Sequence, residues 1–234
     1  MLSKIKMPTL FGLVLLIIGL AAGVFFIKSP ELLVFQSQAL PEVTPQKITL
    51  ANLAPASVSI FWQTVNQTSG FIRIGTSSTL DQTFRDVRDS FSLNPYGLHF
   101  VTLTNLSPGT TYFYKINSGG SLHPQGAPLT FRTPFEETVS SYQPVIGTVI
   151  NDDLTPISEA FVTLEGQSGL LAAVTKVSGN FILPLTSLGN APVDIPLTLT
   201  VFDKEKSSRV IFKLPVTQNL PPITLGQDLD LTAP

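Results

Sequence analysis

The chain has 234 residues, a formal net charge of −2, 43% hydrophobic residues and 13% charged residues. This length has room for two small domains or one large one. Without a dense field of lysine and arginine the sequence does not indicate nucleic-acid binding, and without cysteine it excludes disulfides, thiolate nucleophiles and cysteine metal sites.

The first thirty residues resemble a membrane anchor. Lys4 and Lys6 precede residues 7–27, which carry no charge. As a helix these 21 residues span about 31 Å, close to the hydrocarbon thickness of a bilayer. We therefore expect residues 1–29 to be a cytoplasmic tail and a transmembrane signal anchor. The lysines favour a cytoplasmic N-terminus, so the rest of the chain is predicted to lie outside the cytoplasm of a single-pass membrane protein.

A cleaved signal peptide is the alternative interpretation of the same segment. The small residues Ala21, Ala22 and Gly23 form a candidate cleavage site, which would make the protein secreted. The apolar run continues to Ile27, and this length favours an uncleaved anchor.

Residues 30–45, punctuated by prolines, are predicted to be a linker, and residues 46–134 a first β-sandwich. Apolar residues then recur at every second position, which is typical of antiparallel strands buried on one face. Examples are Val58, Ile60 and Trp62, then Ile72 and Ile74, then Val101 and Leu103, then Tyr112, Tyr114 and Ile116.

Two segments carry a family resemblance. Residues 57–64 (SVSIFWQT) resemble the second strand of a fibronectin type III domain with its core tryptophan, and residues 106–112 (LSPGTTY) resemble the tyrosine corner of that family. The resemblance implies an immunoglobulin-like sandwich in which the Tyr112 hydroxyl bonds to the backbone of the preceding turn. Residues 43–134 are most similar to the variant at the N-terminus of purple acid phosphatases, and this resemblance brings no catalytic residues.

A second pattern follows a predicted linker at 135–143. Residues 144–226 resemble carboxypeptidase regulatory-like domains, which implies a transthyretin-like sandwich and no activity. The residues that match the family pattern are Gly147, Val149, Pro156, Ile157, Ala160, Val162, Leu164, Thr175, Gly179 and Phe181. Ser178 stands where aspartate is common in that family. Residues 227–234 are predicted to be a C-terminal tail, and the fold class is therefore all-β, two tandem antiparallel sandwiches behind one helix.

The sequence contains no pattern that indicates catalysis, a cofactor or a metal site, so we expect a protein that is not an enzyme. Of the two histidines, His99 shares a face with Val101 and is expected at the edge of the core, while His123 is expected in a solvated loop. Residues 151–153 (NDD) are predicted to be a hairpin turn and residues 85–89 (RDVRD) a solvated edge strand.

Four phenylalanines are predicted by strand parity to point out of the first sandwich: Phe61, Phe71, Phe100 and Phe113. In the fibronectin strand order, Phe61 and Phe100 lie on neighbouring strands of one sheet, and Phe71 and Phe113 on neighbouring strands of the other. Each pair is either a cross-strand aromatic contact or a docking surface for the second domain, a protein partner or a glycan.

These features predict a membrane-anchored extracytoplasmic protein of structural or adhesion type that presents two β-sandwich modules. The alternative is a carbohydrate- or protein-binding accessory module of an extracellular enzyme system.

Overall fold

The computed structural model describes residues 41–136, 142–166, 169–185, 188, 194–216 and 218–232. The predicted anchor at 1–29 and all but the end of the linker at 30–45 lie outside the described residues. In the described ranges no helix has the length and apolar character needed to cross a membrane. These ranges form sixteen β-strands and a short 3-10 turn at Pro41–Val43.

The first sandwich is built from two antiparallel sheets. One has the order β1-β2-β5, and the other has the order β4-β3-β6, with β7 and β8 pairing in turn with β6. The strands are β1 (Gln46–Ala54), β2 (Ser57–Thr68), β3 (Gly70–Gly75), β4 (Gln82–Arg85), β5 (Tyr96–Leu103), β6 (Thr111–Ser118), β7 (Ser121–His123) and β8 (Leu129–Arg132).

The core of this sandwich follows the predicted alternation. Trp62, Ile60 and Val58 of β2 are fully buried between the sheets, against Ile72 of β3 and Ile116 of β6. Because successive strand residues point to opposite faces, Ser59 and Phe61 lie on the outer face of the β1-β2-β5 sheet.

The second sandwich also has two sheets, with the orders β11-β10-β13-β14-β16 and β12-β9-β15. Its strands are β9 (Val145–Ile150), β10 (Phe161–Gly166), β11 (Gly169–Val174), β12 (Asn180–Leu183), β13 (Leu197–Phe202), β14 (Ser207–Phe212), β15 (Ile223–Thr224) and β16 (Leu229–Asp230). The pairings of β15 with β9 and of β16 with β14 are parallel, unlike the antiparallel pairing that the sequence predicts.

The predicted tail at 227–234 contributes β16 to the larger sheet. Leu229 pairs opposite Val210 and packs, half-buried, against the core of the second sandwich. Two strand residues are too short a run to show a period in the sequence, so the boundary predicted at 226 falls too early.

Several residues of the second resemblance have clear structural roles. Gly179 has φ +73°, and a Cβ there would lie 2.5 Å from the Val149 carbonyl oxygen, so the position requires glycine. Gly147 leaves room for the Phe181 ring, whose nearest atom would be 2.7 Å from an added Cβ. The Ala160 N–H donates to the buried Thr175 hydroxyl at 3.0 Å.

Together the two sandwiches form one compact unit. The outer face of β1-β2-β5 packs on the outer face of β11-β10-β13.

Candidate functional site

Three phenylalanine rings form the centre of the contact between the sandwiches. The register of β2 and β5 places Phe61 directly opposite Phe100, and their rings lie 6.2 Å apart and nearly parallel. Phe161 of β10 packs against both, at 4.9 Å from Phe61 and 5.9 Å from Phe100. Phe61 and Phe100 are 6% and 5% exposed, so the second sandwich covers the pair.

We call the set around these rings the inter-sandwich cluster. Its buried members are Ala51, Phe61, Leu98, Phe100, Phe161 and Ala172, and half-buried Leu170, Val174 and Phe202 pack at its margin. Burying one phenylalanine side chain stabilises a structure by about 1.5–3 kcal/mol. Burial of these three rings is therefore a large favourable term in the contact between the two sandwiches.

Phe71 and Phe113 behave differently from the first pair. Their strands β3 and β6 are neighbours, but the register places Phe71 opposite Asn117 and Phe113 opposite Gly75. The two phenylalanines are both half-buried and are not cross-strand partners, because the register offsets them by four residues.

Asn52 of β1 links the sandwiches through its amide. Its Nδ2 donates to the Ala172 carbonyl oxygen at 2.7 Å, and its Oδ1 accepts from the Ala172 N–H at 2.9 Å. Ala172 lies on β11, the edge strand of its sheet, so the amide occupies a position where a further strand would pair. Asn52 adopts φ +52° at an irregularity in β1, a conformation that asparagine tolerates better than most residues.

A buried ion pair borders the cluster. The Asp86 carboxylate is fully buried and accepts from the Phe100 N–H at 2.7 Å and from Arg88 Nε at 2.8 Å. Arg88 also donates to the Leu98 carbonyl, stacks over the Tyr96 ring at 3.8 Å, and lies 4.0 Å from Glu159 of the second sandwich.

The prediction of a solvated edge strand at 85–89 is therefore wrong beyond Arg85, which ends the edge strand β4. Asp86 turns inward because its carboxylate satisfies the backbone of β5 as well as the guanidinium of Arg88. The pKa of the neighbouring Tyr96 phenol is raised above its ordinary value. Burial is the main cause, and the negative charge of Asp89 is the second.

Lys204 makes another link between the sandwiches. Its Nζ donates to the Val65 carbonyl oxygen at 3.0 Å. Gly97 of β5 makes room for this side chain, because a Cβ at position 97 would lie 2.1 Å from Lys204 Cε.

His99 lies inside the first sandwich, one residue before Phe100. Its ring stacks on Trp62 at 4.5 Å with an interplanar angle of 3°, and neither ring nitrogen has a hydrogen-bond partner among the described residues. Desolvation lowers the pKa of His99 to about 4; the charge of Asp86 opposes this shift, while Arg88 adds to it. The ring is therefore neutral near pH 7 and is fully buried, deeper than the core edge that the sequence predicts.

His123 is buried as well, and the prediction of a solvated loop histidine is wrong. It ends β7 opposite Ile116, on the face that packs inward, and desolvation lowers its pKa.

The NDD segment forms a turn in which the Leu154 N–H donates to the Asn151 carbonyl oxygen at 3.0 Å. In the part of the chain that the structure describes, no cluster of three histidine or acidic side chains is placed to hold a metal ion.

Two solved structures to which the chain is similar are arrays of fibronectin type III domains. The chain is similar to the central fibronectin-III array of RIM-binding protein, with 15% identity over 70% of this chain and 57% of that one, and a TM-score of 0.27. It is also similar to the FN1–FN3 domains of chicken CNTN1, with 13% identity over 81% of this chain and 68% of that one, and a TM-score of 0.27. The chain thus spans little more than half of the RIM-binding protein array. No curated protein matches the sequence.

Residues 45–133 match the family described as "Purple acid Phosphatase, N-terminal domain". The tyrosine corner that the resemblance implied is present, since the Ser107 N–H donates to the Tyr112 hydroxyl oxygen at 2.8 Å. The sheet orders, the buried Trp62 and this corner agree with the match, and the first sandwich is a fibronectin type III-like domain.

Proposed function

We propose that this chain is a non-catalytic structural protein, held in a membrane by residues 7–27, that presents its two sandwiches outside the cytoplasm as one rigid unit. The inter-sandwich cluster is the observation that carries the proposal. Tandem modules joined only by a linker move independently, whereas a buried apolar contact fixes their mutual geometry. A fixed pair of modules suits a protein that holds surfaces in a constant arrangement.

Two further features of the sequence support this proposal. The uncharged run at 7–27 has the length of a transmembrane helix, and two lysines precede it. The second sandwich shares its Gly147, Thr175 and Gly179 pattern with carboxypeptidase regulatory-like domains, a family resemblance that implies a folding or spacer role.

A carbohydrate-binding accessory module is the second candidate. Phe61 and Phe100 are not available to a glycan while Phe161 covers them. Phe91 favours this candidate instead, because its side chain is fully exposed in the segment between β4 and β5, and exposed aromatic rings stack on sugars. Retention on immobilised polysaccharide that Phe91→Ser abolishes would establish it.

The anchored arrangement is tested by expressing the full-length chain with a C-terminal tag, extracting membranes with carbonate, and measuring the intact mass. We expect a membrane-retained protein of unprocessed mass whose tag is digested by protease added outside the cell. A matched Ile17→Arg variant places a charge in the apolar segment and should lose membrane retention. A soluble product that starts near Val24 or Leu40 would instead show that the protein is secreted after cleavage of a signal peptide.

A further inference from the structure

The loop between β4 and β5 carries the most exposed large apolar side chain among the described residues. Phe91 is 100% exposed, and Leu93, two residues later, is 36% exposed. The tip of this loop, residues 90–95 (SFSLNP), has no charged residue, and all six of its residues are exposed. The Phe91 ring therefore contributes nothing to the packing of either sandwich and leaves its whole apolar surface in water.

Hydrogen bonds to Asp89 close the loop at its base. The Asp89 Oδ1 atom accepts from the Asn94 N–H at 3.0 Å and from Asn94 Nδ2 at 3.1 Å. The Tyr96 hydroxyl donates to the same oxygen at 3.2 Å. These bonds engage the carboxylate at the base of the loop, so that Phe91 and Leu93 are carried on a closed turn whose exposed tip is uncharged.

This loop lies at the end of the first sandwich at which the described chain begins. β5 starts at Tyr96, which pairs opposite Thr68, the last residue of β2. The 3-10 turn that precedes β1 lies at the same end, because its Glu42 carboxylate accepts from the amide of Asn66, two residues before the end of β2. The loop and the point where the chain enters the sandwich therefore share one end.

The connection between that end and the proposed anchor is short. Thirteen residues, 28–40, separate the 3-10 turn from the uncharged run at 7–27. A chain of that length reaches at most about 45 Å even when it is fully extended. In an anchored protein, the tether therefore keeps the end that carries Phe91 and Leu93 near the surface of the bilayer.

We propose that Phe91 and Leu93 insert into the interfacial layer of the bilayer that holds the chain, so that a lipid surface is the partner of this loop. Their apolar side chains leave water there, while the hydroxyls of the two serines in the tip remain among the hydrated headgroups. The loop then gives the pair of sandwiches a second attachment to the membrane beside the tether. The inference rests on the proposed function, from which it takes the anchor at 7–27.

The absence of cysteine from the chain allows a single fluorescent label to report on the loop. Full-length protein with Ser92→Cys is labelled with an environment-sensitive dye and reconstituted into phosphatidylcholine vesicles whose lipids carry a nitroxide quencher just below the headgroups. We expect strong quenching at position 92, and little for the same label on Ser107→Cys, which follows β5 at the other end of the sandwich. Adding Phe91→Ser to the Ser92→Cys protein should lower the quenching at least threefold.

Phe135→Ser is the matched control and should leave the quenching at position 92 unchanged. Phe135 is also an exposed phenylalanine, at 72%, but it follows β8 at the end of the sandwich where β6 begins, away from the loop. Unchanged Trp62 fluorescence of the unlabelled variants shows that they fold.

The inference is overturned if the label at 92 is quenched no more than the label at 107, or if Phe91→Ser leaves the quenching at 92 unchanged. It is also overturned if a soluble polysaccharide shields the label at 92 and lipid does not. Flotation of the vesicles reports on the anchor separately. Protein that floats without quenching at 92 contradicts only this inference, whereas protein that does not float contradicts the proposed anchor and this inference with it.

Discussion

Asn52 and Ala172, 120 residues apart in the chain, exchange two hydrogen bonds through one side-chain amide, at 2.7 and 2.9 Å. The same Nδ2 donates to Ser59 Oγ at 3.1 Å, which ties the amide to the sheet face beneath it. The amide bonds the backbone N–H and C=O of Ala172 on the outer edge of β11, where no strand pairs. It also joins two sandwiches that share no strand pairing in the described residues.

Replacing Asn52 with glycine should weaken this contact. Glycine keeps the left-handed backbone but removes the amide, so the Ala172 backbone loses both partners, which costs about 1–3 kcal/mol. Urea unfolding of the full chain measures the loss. Asn105→Gly is the control, because Asn105 also has a positive φ, 59°, and is exposed away from the interface. Equal stability of the two variants would contradict the role assigned to Asn52.

Replacing both Phe61 and Phe100 with serine should separate the sandwiches without unfolding the first one. The core around Trp62 lies on the opposite face of β2 and keeps its contacts. Removing two buried phenylalanines should cost several kcal/mol, since a single Phe→Ala change in a core costs about 3–5 kcal/mol. We expect one cooperative unfolding transition in the native chain and two in the variant, followed by Trp62 fluorescence and circular dichroism.

Phe71→Ser is the comparison for that experiment, because Phe71 is half-buried on the other sheet. It should retain the single transition. Loss of the native Trp62 signal in Phe61→Ser/Phe100→Ser before any denaturant is added would show that these rings belong to the core of the first sandwich instead.

Strand parity predicted the outward direction of Phe61 and Phe100, because a period of two depends only on the local sequence. The residue that covers them could not be predicted in the same way. Phe161 lies beside Val162 on β10, and parity identifies it as an outward aromatic but cannot say which distant surface it meets. Asn52 gives no periodic signal at all, since its role depends on a positive φ and on an edge strand 120 residues away.

Charged and titratable residues were the least predictable. Asp86 and Arg88 are predicted to be solvated because an isolated charge is costly to bury, yet they pair with each other and both also bond backbone groups of β5. His123 stands in a glycine- and serine-rich segment typical of exposed loops, and only the pairing of β7 with β6 turns it inward. In each case the deciding partner lies on another strand.

Acidification should destabilise the chain through His99. Its pKa is lowered from 6.5 to about 4 in the folded state, so between these values the unfolded state binds more protons. The stability contributed by the neutral ring is fully present above about pH 6.5 and is lost as the pH falls, by about 3 kcal/mol at pH 4. His99→Phe keeps an aromatic ring against Trp62 and should flatten this part of the profile. Urea midpoints measured from pH 7 to pH 4 check the difference, and parallel profiles for the two proteins would argue against it.

Gly70→Ala should destabilise the first sandwich by about 1–3 kcal/mol, the usual cost of overpacking. An added Cβ would lie 2.8 Å from the Trp62 ring and 3.0 Å from the His99 ring, and the stacked pair has little freedom to move. Gly126→Ala is the matched control, since no atom lies within 4 Å of its added Cβ. Thermal unfolding of both variants measures the effect, and a Gly70→Ala protein as stable as the control would show that the stack can shift.

The space that Gly97 leaves for Lys204 means that tolerance to substitution at this position depends on how much of the chain is present. In an isolated first sandwich, alanine at 97 meets no Lys204 and should be accepted. In the full chain the same methyl group displaces the lysine and breaks its bond to Val65. A mutational scan of the first sandwich alone would therefore score position 97 as neutral. A scan of the whole protein would identify it as part of the contact between the two sandwiches.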